Sequence, residues 1–178
     1  MTLTVLAMVA VLGALFAAAL FAAAWWIARD TGLTAGARVV STDVGAEPAT
    51  MLTDDILGIR GRPDYLVRET AGLVPIEIKP MRKARTLYES DRVQIGAYML
   101  LVRAAYPGTF AGYGRVRYRE ATFVVPLTPE LEALCAATAT AVRAARRARD
   151  VHRTHAIAAK CRACAMRPAC TEALPAVG

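Results

Sequence analysis

Asp64, Glu77 and Lys79 stand in the short segments GRPD and VPIEIK, two acids and one amine whose types are those of metal-assisted hydrolysis. Hard divalent ions such as Mg²⁺ or Mn²⁺ take carboxylate and carbonyl oxygens as ligands. Such an ion polarises a phosphoryl oxygen and lowers the pKa of a bound water, while a nearby ammonium orients that water or offsets developing charge. Bringing the three together takes a hairpin. Residues 57–68 and 73–80 read as β-like runs separated by Glu69-Thr70-Ala71-Gly72. With the turn centred on Thr70 and Ala71, Asp64 faces Glu77 across the ladder. Alternation then puts Lys79 on the Glu77 face and sends Tyr65, Val67, Ile76 and Ile78 to the other as an apolar layer. Facing carboxylates repel unless a cation lies between them, so replacing Asp64 is expected to relieve the metal-free fold. An isolated E-x-K tripeptide is more often a solvated strand face, and its surroundings must decide.

Those surroundings are Gly61-Arg62-Pro63-Asp64, then Val74-Pro75-Ile76-Glu77-Ile78-Lys79, then Gln94 and Tyr98 within DRVQIGAY. Gln94 and Tyr98 are i and i+4 on one helical face and reach the same pocket. The first two segments resemble the P-D…E-x-K motif of restriction-endonuclease-like nucleases, and the third resembles the Q-x-x-x-Y signature of their RecB-like branch. With Cys161, Cys164 and Cys170 in KCRACAMRPAC, the chain is similar to the CRISPR-associated RecB-like exonucleases of the Cas4 type and their stand-alone relatives, over roughly residues 43–174. The resemblance implies an α/β restriction-endonuclease-like core, a mixed sheet flanked by helices, that hydrolyses phosphodiester bonds in DNA. It further implies Asp64, Glu77 and the Ile78 backbone carbonyl as ligands of Mg²⁺ or Mn²⁺, Lys79 at the attacking water, and Gln94 and Tyr98 assisting at substrate and site.

In that family a C-terminal Cys trio helps to ligate a 4Fe-4S cluster. Here no Cys precedes Cys135, and Cys135 itself reads as a small buried apolar residue beside Leu131, Leu134 and Val142. His155 is then the candidate fourth ligand, a set of three Cys and one His that suits Zn²⁺ as well as a cluster. The family's upstream catalytic His is absent too, the two histidines being His152 and His155. Asp43, Glu47, Asp54 or Asp55 are candidates for a substitute carboxylate, Asp43 and Glu47 first.

The elements that must position these residues follow from the rest of the chain. A short strand is expected near 38–41, a helix over 90–105 ended by Pro107-Gly108, strands over 112–119 and 121–126, and an Ala-rich helix opened by Thr128-Pro129-Glu130. Ahead of them, the first 28 residues carry no charged side chain. As a helix, residues 3–28 span roughly 39 Å at 1.5 Å per residue, enough to cross a bilayer. Trp25 and Trp26 close the run, and Arg29 and Arg38 follow, so a single-pass inner-membrane anchor with a cytoplasmic domain is expected. The expected divisions are an anchor over 1–29, a linker and first element over 30–55, a nuclease core over 56–156 and a Cys-rich metal-binding segment over 157–178.

Net charge is +7, with 22 basic and 15 acidic residues, which suits a polyanionic partner such as DNA. Arg82, Lys83 and Arg85 leave the strand end that carries the site, and Arg143, Arg146, Arg147 and Arg153 fall near one helical stripe; both groups are candidate phosphate contacts. Two other readings compete: a catalytically inactive membrane-tethered module that holds DNA or protein, and a structural metal-cluster protein. The sequence leaves exo against endo cleavage and the oligomeric state open.

Overall fold

Tyr65 pairs with Ile76, and the register holds through Leu66 with Pro75, Val67 with Val74 and Arg68 with Leu73 to Glu69 with Gly72. It is the register expected from a turn centred on Thr70 and Ala71. Gly72 makes that turn possible, because its φ of +130° lies where side chains are strained and a Cβ there would collide with the Thr109 carbonyl. The computed structural model that shows this describes residues 3–31, 37–42 and 50–175, with side chains of the first helix described over 5–25. Asp43 and Glu47 lie outside the described residues, as do the side chains of Trp26 and Arg29.

The elements are α1 (Leu3–Thr31), β1 (Arg38–Thr42), β2 (Leu52–Asp54), β3 (Ile59–Gly61), β4 (Tyr65–Glu69), β5 (Gly72–Lys79), α2 (Glu89–Ala105), β6 (Tyr113–Tyr118), β7 (Thr122–Pro126), α3 (Pro129–Arg147) and α4 (Ala158–Arg162), then a 3₁₀ turn at Arg167–Ala169. Five strands form one mixed sheet in the order β1-β4-β5-β6-β7. Only β5 and β6 run parallel, and α2 is the crossover that a parallel pair requires. The chain divides into two compact units, Met1–Ala139 and Thr140–Gly178, and the expected division at 156/157 falls inside the second.

The run over 57–68 is not one strand. It breaks at Arg62-Pro63-Asp64, since Pro63 has no N–H to give to a ladder. Its first part, β3, pairs with β2 in a separate two-stranded sheet that turns at Gly58, φ 60°. This hairpin joins residues on both sides of the boundary expected at 55/56, between the linker and first element and the core.

Leu66 and Leu73 pack with Leu101 and Val102 of α2 and with Leu52 of β2. On the same side Val116 and Tyr118 join Ile95, Met99 and Leu100, and Leu131 and Cys135 of α3 complete that cluster. Val67, Val74 and Ile76, with Tyr65 and Ile78 beside them, form the apolar layer on the opposite face that alternation demands. Cys135 is buried as expected, its Sγ 3.5 Å from the Val93 carbonyl and its thiol pushed up by burial.

In α1, residues Val5–Trp25 have a mean hydropathy of 2.6 and none of that window is buried, making it the one helix among the described residues long and apolar enough to cross a membrane. No charged or hydroxyl-bearing side chain falls in that window, which leaves no polar face to turn toward water.

Candidate active site

Asp64 sits one position beyond the last ladder pair of β4 and β5, and its Oδ2 accepts the Ile78 N–H at 2.6 Å. The carboxylate thereby extends the ladder in place of the backbone that Pro63 interrupts. A strand residue presents its N–H and C=O to the same edge, so the Ile78 carbonyl projects on the Asp64 side. Gly61 lets α2 approach from above: a Cβ there would lie 2.8 Å from the Tyr98 ring.

Glu77 points to the α2 face and is buried. Its Oε1 accepts hydrogen bonds from Lys79 Nζ at 2.6 Å and from Gln94 Nε2 at 2.8 Å. Gln94 Nε2 also donates to the Tyr98 hydroxyl at 3.1 Å. Glu77 Oε2 is buried with no hydrogen-bond partner among the described residues. Burial raises the Glu77 carboxyl above its usual 4.5, and the Asp64 charge adds to this against the opposing contacts of Lys79 and Gln94. Burial works against the Lys79 ammonium, yet its bond to Glu77 and the charges of Glu77, Asp91 and Asp64 leave it held above its usual 10.5. Burial likewise raises the Tyr98 phenol.

An unpartnered buried oxygen costs about 1–3 kcal/mol. At Glu77 that oxygen belongs to a carboxylate on which the Asp64 charge acts, and the Ile78 carbonyl projects to the Asp64 edge of the strand. Two carboxylates, a carbonyl and water make a donor set that suits Mg²⁺ or Mn²⁺ and fits nothing softer. The sequence-derived set Asp64, Glu77, Ile78, Lys79, Gln94 and Tyr98 is thus brought to one place.

The basic residues expected to follow the site divide into two kinds. Arg82 Nε binds the buried Asp91 carboxylate at 2.9 Å and its guanidinium lies 4.6 Å from the Tyr88 ring centre. Tyr118 donates its hydroxyl to the same Asp91 oxygen and accepts the Tyr88 N–H at 3.1 Å. Arg82 therefore fastens the segment after β5 to the start of α2. Lys83 and Arg85 are exposed beside it. Nothing in the sequence marks this brace, because Asp91 meets Tyr118 only when β6 is laid beside β5. Asp54, a candidate substitute carboxylate, caps the Leu57 N–H at 2.9 Å and acts on Arg103. Arg103 is nine residues along α2 from Gln94, roughly 13 Å at 1.5 Å per residue. Asp54 is thus not a member of the site. Asp55 is in the same turn.

In the second unit, His155, Cys161, Cys164 and Cys170 line one cavity of 190 Å³. All four cysteines of the chain are free thiols, Cys161 buried and Cys164 and Cys170 exposed. Among the described residues no three His, Cys, Asp or Glu side chains converge as a metal group. Arg143 lies on α3 with Nη2 3.1 Å from Thr140 Oγ1, and Arg147 ends that helix exposed. Arg153 is off the helix, its N–H and Nε both bonded to Glu172, and so leaves the expected stripe.

The family model described as the PD-(D/E)XK nuclease superfamily matches residues 7–171. The chain is also similar to a protein of Myxococcus xanthus named CRISPR-associated exonuclease Cas4/endonuclease Cas1 fusion, with 31% identity over 150 residues, 79% of this chain and 26% of that protein. The chain spans about a quarter of the length of this curated relative.

Proposed function

As the chain belongs to the PD-(D/E)XK nuclease superfamily, we propose that it is a membrane-tethered deoxyribonuclease dependent on Mg²⁺ or Mn²⁺, acting from DNA ends. The observation that carries the reading is Glu77 Oε2, buried and without a hydrogen-bond partner among the described residues, in a site that already holds Asp64 and Lys79. Asp64, Glu77 and the Ile78 carbonyl would hold the ion. When bound, it supplies polarisation of a phosphoryl oxygen and a more acidic water. Lys79 keeps its proton and stands as a cation where charge develops on the phosphate. Gln94 fixes the Glu77 carboxylate and is itself steadied by Tyr98.

Lys83 and Arg85 are the proposed phosphate contacts at this strand end, with Arg82 holding their segment in place. Arg143 and Arg147 are proposed as further contacts of the second unit. Cleavage from ends rests on the exonuclease name of the Myxococcus relative. Anchoring in the inner membrane, with the catalytic unit cytoplasmic, is supported by the hydropathy of α1 and by the basic residues after it. An iron–sulfur cluster or Zn²⁺ on Cys161, Cys164, Cys170 and His155 is supported by donor chemistry and a shared cavity, and it requires those side chains to draw together.

The test compares wild type with Glu77→Ala, purified in parallel, on single- and double-stranded DNA with Mn²⁺ or Mg²⁺. Wild type should cleave and the variant should not. Equal cleavage would remove this face as the active site, and a wild type that binds DNA but never cuts it would make the chain a binding module.

A further inference from the structure

Arg115 and Arg117 stand two residues apart on β6 and share the sheet face opposite Glu77, beside Ile76 and Ile78, their partners in the parallel ladder. Both are buried, at 7% and 8% exposure. Arg115 is neutralised: its two terminal nitrogens grip the Glu69 carboxylate at 2.5 and 2.9 Å. Arg117 has no such acid among the described residues. Among the described residues its nitrogens reach the Thr122 hydroxyl and the Arg119 carbonyl, each at 3.3 Å, the long end of hydrogen bonding. A guanidinium keeps its charge inside a protein, and a buried charge is costly unless paired. Arg117 also lines a cavity of 350 Å³ with Ile78, Pro80, Tyr118 and Arg119, and Arg119 is exposed at its mouth. The missing counter-charge therefore has room to come from outside.

We propose that this cavity is a phosphate subsite in which Arg117, with Arg119, clamps a phosphodiester of the nucleic-acid strand next to the one being cut. The placement follows from Ile78. Its carbonyl faces the Asp64 side, its side chain lines the Arg117 cavity, and neighbouring strands are only about 4.8 Å apart. A strand crossing the ends of β5 and β6 meets both. The planar fork of Arg117 suits two phosphate oxygens at once, and its low exposure makes the contact stronger than one in open solvent. The subsite rests on the nuclease reading, which it extends from the cut bond to the register of the strand.

The experiment measures binding of a labelled 12-nucleotide single strand to the detergent-solubilised full chain in EDTA, so that cleavage plays no part. Arg117→Gln should weaken binding on the order of tenfold and lower the slope of log affinity against log salt by about 0.7, one phosphate's worth. Arg117→Lys keeps the charge and loses the fork, so it should retain the slope and bind more weakly than wild type. Arg119→Gln, at an exposed position that folding tolerates, should shift affinity and slope in the same direction as Arg117→Gln. A purely structural Arg117 would change melting temperature and leave the slope alone. Wild-type affinity and slope in both Arg117→Lys and Arg119→Gln would overturn the subsite while the nuclease reading stands. A wild type that binds no DNA would overturn both.

Discussion

Asp64 accepts the Ile78 N–H at 2.6 Å, so one carboxylate closes the end of the β4–β5 ladder while its charge acts on Glu77. This changes the sign expected from repulsion alone. Asp64→Ala should destabilise the metal-free protein by about 1–3 kcal/mol, because the Ile78 amide loses its acceptor in a partly buried place. Asp64→Asn keeps an acceptor oxygen and should stay closer to wild-type stability. Both should abolish cleavage. Thermal melting of the three proteins checks the first half, and an Ala variant more stable than wild type would show that repulsion dominates after all.

Gln94 is the link between Glu77 and Tyr98. Replacing it with Leu removes a bond to a charged oxygen, worth about 1.5–3 kcal/mol, and should slow cleavage roughly 10- to 150-fold. Tyr98→Phe removes only a neutral contact and should cost about tenfold or less. The ordering of the two rates at saturating metal is the measurement; a Tyr98 variant slower than the Gln94 one would assign Tyr98 a direct part at the substrate.

His152 Nδ1 lies 2.7 Å from Glu172 Oε1 on the surface of the second unit. The hydrogen bond to Glu172 raises His152 above 6.5, and Glu172 is held below 4.5 by its bonds to the Arg153 amide and His152. The His152 contribution is fully present below pH 6.5 and fades as pH rises through the raised value. The Glu172 contribution is present above pH 4.5 and fades as pH falls through the lowered one. The tie is therefore strongest in the mildly acidic range. Nuclear magnetic resonance titration should find the His152 midpoint above 6.5 and returning toward it in Glu172→Gln; identical midpoints would show the pair is not formed in solution.

Anaerobically purified protein should carry iron with sulfide, or zinc, at about one site per chain if Cys161, Cys164, Cys170 and His155 draw together around their cavity. Elemental analysis and native alkylation decide this. Complete alkylation of the exposed and buried thiols alike, with no bound metal, would leave the trio without a ligand.

Full-length protein should remain with the membrane fraction through a carbonate wash, since Val5–Trp25 exposes apolar side chains all round and is long enough to span. Its release by that wash would show that α1 does not insert.

Local chemistry was enough to bring the candidate site residues together. Turn residues at 69–72 fixed the β4–β5 register, period-two alternation put Lys79 with Glu77 and the apolar layer behind them, and the i, i+4 spacing aligned Gln94 with Tyr98. The uncharged N-terminal run declared its helix by composition alone. Each of these is a relation between residues close in the chain, where spacing and geometry are nearly the same thing. What the tertiary structure decided depends on strands that only meet after folding. The parallel pairing of β5 with β6 brings Tyr118 to Asp91 and thereby binds Arg82, gives Arg115 the Glu69 carboxylate, and leaves Arg117 buried without one among the described residues. Which arginine finds an acid is set by long-range register, and an amino-acid pattern holds no record of that until the sheet is assembled.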